Sequence, residues 1–103
     1  MKVQWTEKAV LSYEHIAVYI LESFGVKAKN RFVEKVALKI RLVASIPSVG
    51  KLESTFGGED VEYRSVIVNG LSKIIYRIEG NTLYVVAFWD TRREPKILEK
   101  ELE

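Results

Sequence analysis

The sequence contains no cysteine. That excludes a disulfide framework and thiolate metal sites, and it suits a reducing compartment. Histidine is reduced to one residue, His15. A lone helical histidine is more often structural than catalytic, and no His/carboxylate spacing matches a metal site, so neither metal nor cofactor is expected. Glu59, Asp60 and Glu62 cluster without ligands from elsewhere and read as an acidic loop. No serine has a convincing nucleophile context. No apolar run approaches the ~20 residues of a membrane span, and Met1 to Glu7 lacks the apolar core of a signal peptide. The expectation is a cytoplasmic protein with no membrane partner. Excess charge is lacking too: the net charge is +2, too small to announce nucleic-acid binding by itself.

What is present fits one domain over residues 1–103, with 48% hydrophobic and 29% charged residues, enough to bury a core. Met1 to Trp5 reads as a first strand. Thr6 is a suitable N-cap before Glu7. Ala9, Tyr13, Ile16, Ala17, Ile20 and Phe24 recur in steps of one face of a helix, and Gly25 stops it. Phe32, Val33, Val36, Ala37, Ile40, Val43 and Ala44 mark a second helix, ended by Pro47. So short a connection predicts an antiparallel helical hairpin.

The hairpin is electrically lopsided. Glu7, Glu14 and Glu22 lie on the first helix. Lys27, Lys29, Arg31, Lys35, Lys39 and Arg41 lie on the second, against Glu34. Lys27, Arg31, Lys35 and Lys39 form an inclined ridge. Such a ridge is either a solvated face or a surface for phosphate or an acidic partner.

Residues 45–61 read as a loop. Gly50-Lys51 invites comparison with a phosphate-binding P-loop but fails it, because Ser45 and Leu52 stand where a glycine and a Ser/Thr are required. Three strands follow: residues 62–68, 71–79 and 82–89. Asn69-Gly70 and Gly80-Asn81 are two-residue turn signals. The tail is charged, and Pro95, Ile97, Leu98 and Leu102 suit a short docked helix.

Counting from those turns pairs Val66 with Lys73, Arg64 with Ile75 and Glu62 with Arg77. It also pairs Arg77 with Tyr84, Ile75 with Val86 and Lys73 with Phe88. Alternation then separates two faces. Tyr63, Ser65, Ile67, Ser72, Ile74, Tyr76, Ile78, Leu83, Val85, Ala87 and Trp89 should lie against the helices. Glu62, Arg64, Val66, Lys73, Ile75, Arg77, Tyr84, Val86 and Phe88 should form a second face, basic and half apolar. Arg92 and Arg93, just after the last strand, extend its positive charge, and such a cluster fits a phosphate.

The order of strand, helical hairpin, loop, three antiparallel strands and basic tail resembles the RelE/ParE superfamily of type II toxins. The residues carrying the resemblance are Tyr63-Arg64-Ser65-Val66, Lys73-Ile74-Ile75-Tyr76-Arg77-Ile78, Leu83-Tyr84-Val85-Val86 and Thr91-Arg92-Arg93-Glu94-Pro95. It implies an α+β fold, β-α-α-β-β-β, with the hairpin on one face of an antiparallel sheet. It also implies one of two activities. RelE-like members cleave messenger RNA on the ribosome without metal, and Arg64, Lys73 and Arg92 match their basic catalytic positions. The tyrosine of their terminal helix is absent here, where Lys96, Ile97 and Leu98 stand. ParE-like members poison DNA gyrase, and the ending Arg92 to Leu98 is more like theirs. In that branch Arg64, Lys73, Arg77, Arg92 and Arg93 are the expected target-binding residues. A non-toxic relative acting as a binding module is the third reading. The resemblance further implies a cognate antitoxin, with Val66, Ile75, Val86 and Phe88 as its expected exposed anchors. That apolar strip is also compatible with a homodimer.

Overall fold

The computed structural model describes residues 1–53, 61–70 and 72–90. The elements are β1 (Lys2–Trp5), α1 (Glu7–Phe24), α2 (Val26–Ser45), a 3-10 turn (Pro47–Val49), β2 (Lys51–Leu52), β3 (Arg64–Asn69), β4 (Ser72–Glu79) and β5 (Thr82–Asp90). They form a five-stranded sheet of order β1-β5-β4-β3-β2 with the helical hairpin on one side. β1 runs parallel to β5, and the other neighbours are antiparallel, so the sheet is mixed. The expected α+β architecture stands. The parallel first strand and the two-residue β2 are additions to it.

Thr6 fixes where α1 begins. Its Oγ1 accepts from the Ala9 N–H at 3.1 Å, the cap that the first turn of a helix lacks internally. The same hydroxyl donates to the Val86 carbonyl at 3.1 Å, and the Thr6 N–H donates to the Val85 carbonyl at 3.0 Å. One residue thus caps the helix and ties it to β5. A single glycine, Gly25, separates the helices. Its φ of 92° and ψ of 179° lie in a region open essentially to glycine alone.

The main core lies between the hairpin and the sheet. Ala9, Ala17 and Ile20 of α1 and Phe32, Val36 and Val43 of α2 meet Val68, Ile74, Tyr76, Leu83, Val85 and Phe88. An aromatic group closes one end. Phe88 lies 5.1 Å from Trp5 and 5.2 Å from Tyr13, whose ring stacks on Phe32. Such pairs add to area burial through ring quadrupoles.

Two register irregularities reassign the sheet faces. Asn69 pairs with Ser72, and its Oδ1 accepts from the Ser72 N–H at 3.0 Å and hydroxyl at 3.1 Å. Asn69 therefore flanks the turn instead of sitting within it, as turn counting expected. Together with an irregularity between Ile67 and Asn69, this gives Arg64↔Tyr76, Ser65↔Ile75, Val66↔Ile74 and Ile67↔Lys73. A one-residue slip inverts a strand. Val66 packs against the main core, while Ser65 and Ile67 turn to the other face. In the second hairpin Arg77↔Tyr84 holds as counted, but a bulge between Ile75 and Tyr76 in the β4–β5 register gives Ile75↔Ala87, Ile74↔Phe88 and Lys73↔Trp89. Phe88 therefore enters the main core, and Ala87 and Trp89 join the second face.

That second face is not an open apolar strip. Ile75, Val86, Ala87 and Trp89 form a separate buried cluster with Tyr63 and Tyr84 packed against it. Ile75 is 0% exposed and Val86 7%. Of the four expected exposed anchors, Val66 and Phe88 belong to the helix side, and Ile75 and Val86 are buried. On this face Ile67 of β3 is exposed; other large exposed apolar groups lie on the helices, among them Leu11 and Val18 on α1 and Leu38 and Leu42 on α2.

Candidate functional site

The expected working surface was a cluster of sheet cations. Each described member is present, and each is already engaged. Lys73 points to the second face, where its Nζ lies 2.7 Å from Glu53 Oε1. Ser65 Oγ donates to the same oxygen at 2.5 Å. The two charged side chains are only 18% and 11% exposed. Burial pushes the Glu53 carboxyl up, but the hydrogen bonds from Lys73 and Ser65 and the charges of Lys73 and Lys51 outweigh it. Its pKa is held below the ordinary value.

Arg64 shares the alternation of Val66 and Val68 and works on the helix side. Its Nη1 donates to the Gly50 carbonyl at 2.8 Å and to the Ser48 carbonyl at 3.3 Å, while Nη2 lies 3.7 Å from Glu62. Arg77 lies on the second face. It pairs with Glu79, and its guanidinium sits 4.4 Å above the Tyr84 ring. Arg64 and Lys73, placed on one face by turn counting, therefore serve opposite sides of the sheet. Arg92 and Arg93, with the tail helix, lie outside the described residues.

Tyr76 secures the loop that Arg64 grips. Its hydroxyl donates to the Pro47 carbonyl at 2.6 Å and accepts from the Gly50 N–H at 3.0 Å. Burial pushes the Tyr76 phenol up, opposed by the Gly50 hydrogen bond and the Arg64 charge, and the net shift is upward. It therefore stays protonated and serves as a structural donor, not as a base. A shallow notch at the start of β3 is lined by Glu62, Arg64, Tyr76, Arg77 and Ile78. Arg64, Arg77 and Glu62 all border it.

Sequence reasoning missed Glu53, Ser65 and Gly50 as partners of these cations. Glu53 and Gly50 lie outside any periodic segment, so no pattern tied them to β3 or β4. Among the described residues, no group of three or more His, Cys, Asp or Glu is placed to hold a metal ion. No described helix is long and apolar enough to cross a membrane.

Residues 3–95 match the family model of the ParE toxin of the type II toxin–antitoxin system parDE. The chain belongs to the ParE toxin family. Among solved structures, a chromosomal ParDE toxin–antitoxin system from P. aeruginosa is similar with a TM-score of 0.69 at 14% identity, covering 87% of this chain and 95% of that one. At that identity the likeness speaks for the fold alone. A YoeB/ParE toxin from Agrobacterium tumefaciens is similar with a TM-score of 0.59 at 25% identity, covering 87% of this chain and 98% of that one. Among curated proteins, no sequence matches. In this ParE-family chain, Arg64, Lys73 and Arg77 of the two central hairpin strands are thus each engaged by partners within the chain.

Proposed function

We propose that this ParE-family toxin arrests growth by poisoning DNA gyrase and is restrained by a cognate antitoxin. The observation that carries this reading against ribosome-dependent RNA cleavage is the state of Lys73. A metal-free ribonuclease needs unpaired cations facing the scissile phosphate, and proton carriers of suitable pKa. Lys73 is neutralised at 2.7 Å by Glu53, and Arg64 is committed to two carbonyls. Arg64 and Lys73 do not converge on one phosphate, and Tyr76 is buried and clamped.

Gyrase inhibition needs no such constellation, only a surface that binds. The antitoxin is assigned to the outer side of the helical hairpin, where Leu11 is 58%, Val18 50% and Leu38 59% exposed. Apolar groups in helical steps are what an amphipathic partner segment covers.

Two measurements test the reading. The purified chain is added to gyrase in a supercoiling assay, where loss of supercoiling and accumulation of cleaved DNA are expected. Expression of the chain alone should induce the DNA-damage response while messages stay intact. Cuts within codons of translated messages, with gyrase unaffected, would overturn it in favour of the ribonuclease.

A further inference from the structure

α2 carries six basic residues against one acidic, a net +5 in a chain whose total is +2. The remainder of the chain is therefore net negative, and the positive charge is concentrated on one helix. Among the described residues, the sheet cations Arg64, Lys73 and Arg77 each have a carboxylate within 4 Å, whereas Lys27, Lys29, Arg31, Lys35, Lys39 and Arg41 have none. Lys27, Arg31 and Lys35 are exposed, Lys39 is half-buried, and the four recur every fourth residue. They rise about 6 Å per step and about 18 Å in all.

Stability does not account for this placement. A helix N-terminus carries partial positive charge and favours acids there. The first turn of α2 contains none, its N-cap Gly25 offers no side-chain cap, and Lys27 and Lys29 stand there instead.

We infer that this ridge is a nucleic-acid contact that grips the backbone phosphates of duplex DNA without reading sequence. Duplex DNA carries one negative charge per ~1.7 Å of axis with both strands counted, so an ~18 Å length of duplex holds about ten phosphates, from which four contacts can be drawn. Every exposed residue from Lys27 to Lys35 is polar: Lys27, Asn30, Arg31, Glu34 and Lys35. Over those first two steps of the ridge the surface favours phosphates over an acidic amphipathic protein, which would need apolar anchors among the cations. Exposed Val26 adjoins Lys27, and exposed Leu38 lies between Lys35 and Lys39 at the far end of the ridge. The inference goes beyond the gyrase reading and stands without it, because it concerns DNA alone.

The test is fluorescence anisotropy of the full chain with a labelled 20-bp duplex of arbitrary sequence, titrated from 50 to 200 mM KCl. Four phosphate contacts predict a slope of log K against log salt of about −3.6, an affinity loss of about 150-fold over that range. The triple variant K27Q/R31Q/K35Q should flatten the slope to about −0.9, a loss of about 3.5-fold. Its melting temperature should be equal to or above that of the parent, which separates lost contact from lost fold. K8Q, on α1, should leave the slope unchanged.

Absence of binding at 50 mM KCl, or a triple variant with the parental slope, would overturn the inference. So would tighter binding of polyglutamate than of the duplex, which would mark the ridge as a surface for an acidic protein. Supercoiling inhibition is measured on the same preparations. DNA binding without inhibition upholds the ridge and sinks the gyrase reading. A parent that inhibits gyrase yet ignores the duplex does the opposite.

Discussion

Gly50 and Tyr76 are fitted to each other: the Gly50 N–H donates to the Tyr76 hydroxyl at 3.0 Å, and a Cβ on Gly50 would collide with that hydroxyl and lie 2.8 Å from the ring edge. Two substitutions probe the same joint from opposite sides. Tyr76→Phe deprives the buried Gly50 N–H of its acceptor and should cost about 1–3 kcal/mol. Gly50→Ala should cost about as much by overpacking. Combining them should cost less than the sum, because the phenylalanine removes the atom that the new methyl strikes. Urea denaturation of the three variants measures all of this.

The pair of Glu53 and Lys73 makes a prediction about pH. Glu53 is depressed in the folded state, so its contribution is complete above the unfolded value near 4.5 and is lost as pH falls through the lower folded value. Urea midpoints should be level above about pH 5 and fall below it. Lys73→Gln should cost about 3 kcal/mol at pH 7, the lower end for a broken buried pair, because both groups retain some exposure. It should also flatten the acid limb, since Glu53 loses its main reason to stay ionised.

Ser12 is a quieter structural residue. The pairing of β1 with β5 ends at Trp5↔Val85, and Phe88 lies beyond it on β5. The Phe88 N–H donates to Ser12 Oγ at 2.9 Å, and Ser12 Oγ donates to the Ala9 carbonyl. Ser12→Ala should cost about 1–3 kcal/mol by leaving a buried donor unsatisfied. Hydrogen exchange should show the Phe88 amide losing protection.

Gly25→Ala meets no atom within 4 Å of the new Cβ, so any cost is backbone conformation alone. At φ 92° and ψ 179° that cost should be about 1–3 kcal/mol. A melting temperature equal to the parent's would show that the helical hairpin can close through another backbone path.

The helices were legible because their apolar spacing, the Thr6 cap and the Gly25 break all agree on one solution. The faces of β4 were legible too: Ile74, Tyr76 and Ile78 face the helices, and Lys73, Ile75 and Arg77 face away. What escaped was one residue of register in each hairpin. Asn69 is as good an acceptor flanking a turn as it is a turn residue, and composition does not choose between the two. The bulge near Val86 leaves no compositional mark, because Val86, Ala87, Phe88 and Trp89 are all suited to burial on either side. Those two shifts moved Val66 and Phe88 into the core. They also separated Arg64 from Lys73, so the candidate site changed while the fold did not.

The parallel seat of β1 against β5 carries a consequence for synthesis. Lys2 is aligned with Thr82, and Trp5 with Val85. The first strand made therefore has no edge to join until the last described strand exists, and β5 also supplies Leu83, Val85 and Phe88 to the core. At 5–20 residues per second, about 4–16 s separate the two segments on the ribosome. Throughout that interval β1 lacks its only strand neighbour among the described residues. A ParE-family chain built this way cannot complete its sheet before β5 has been translated.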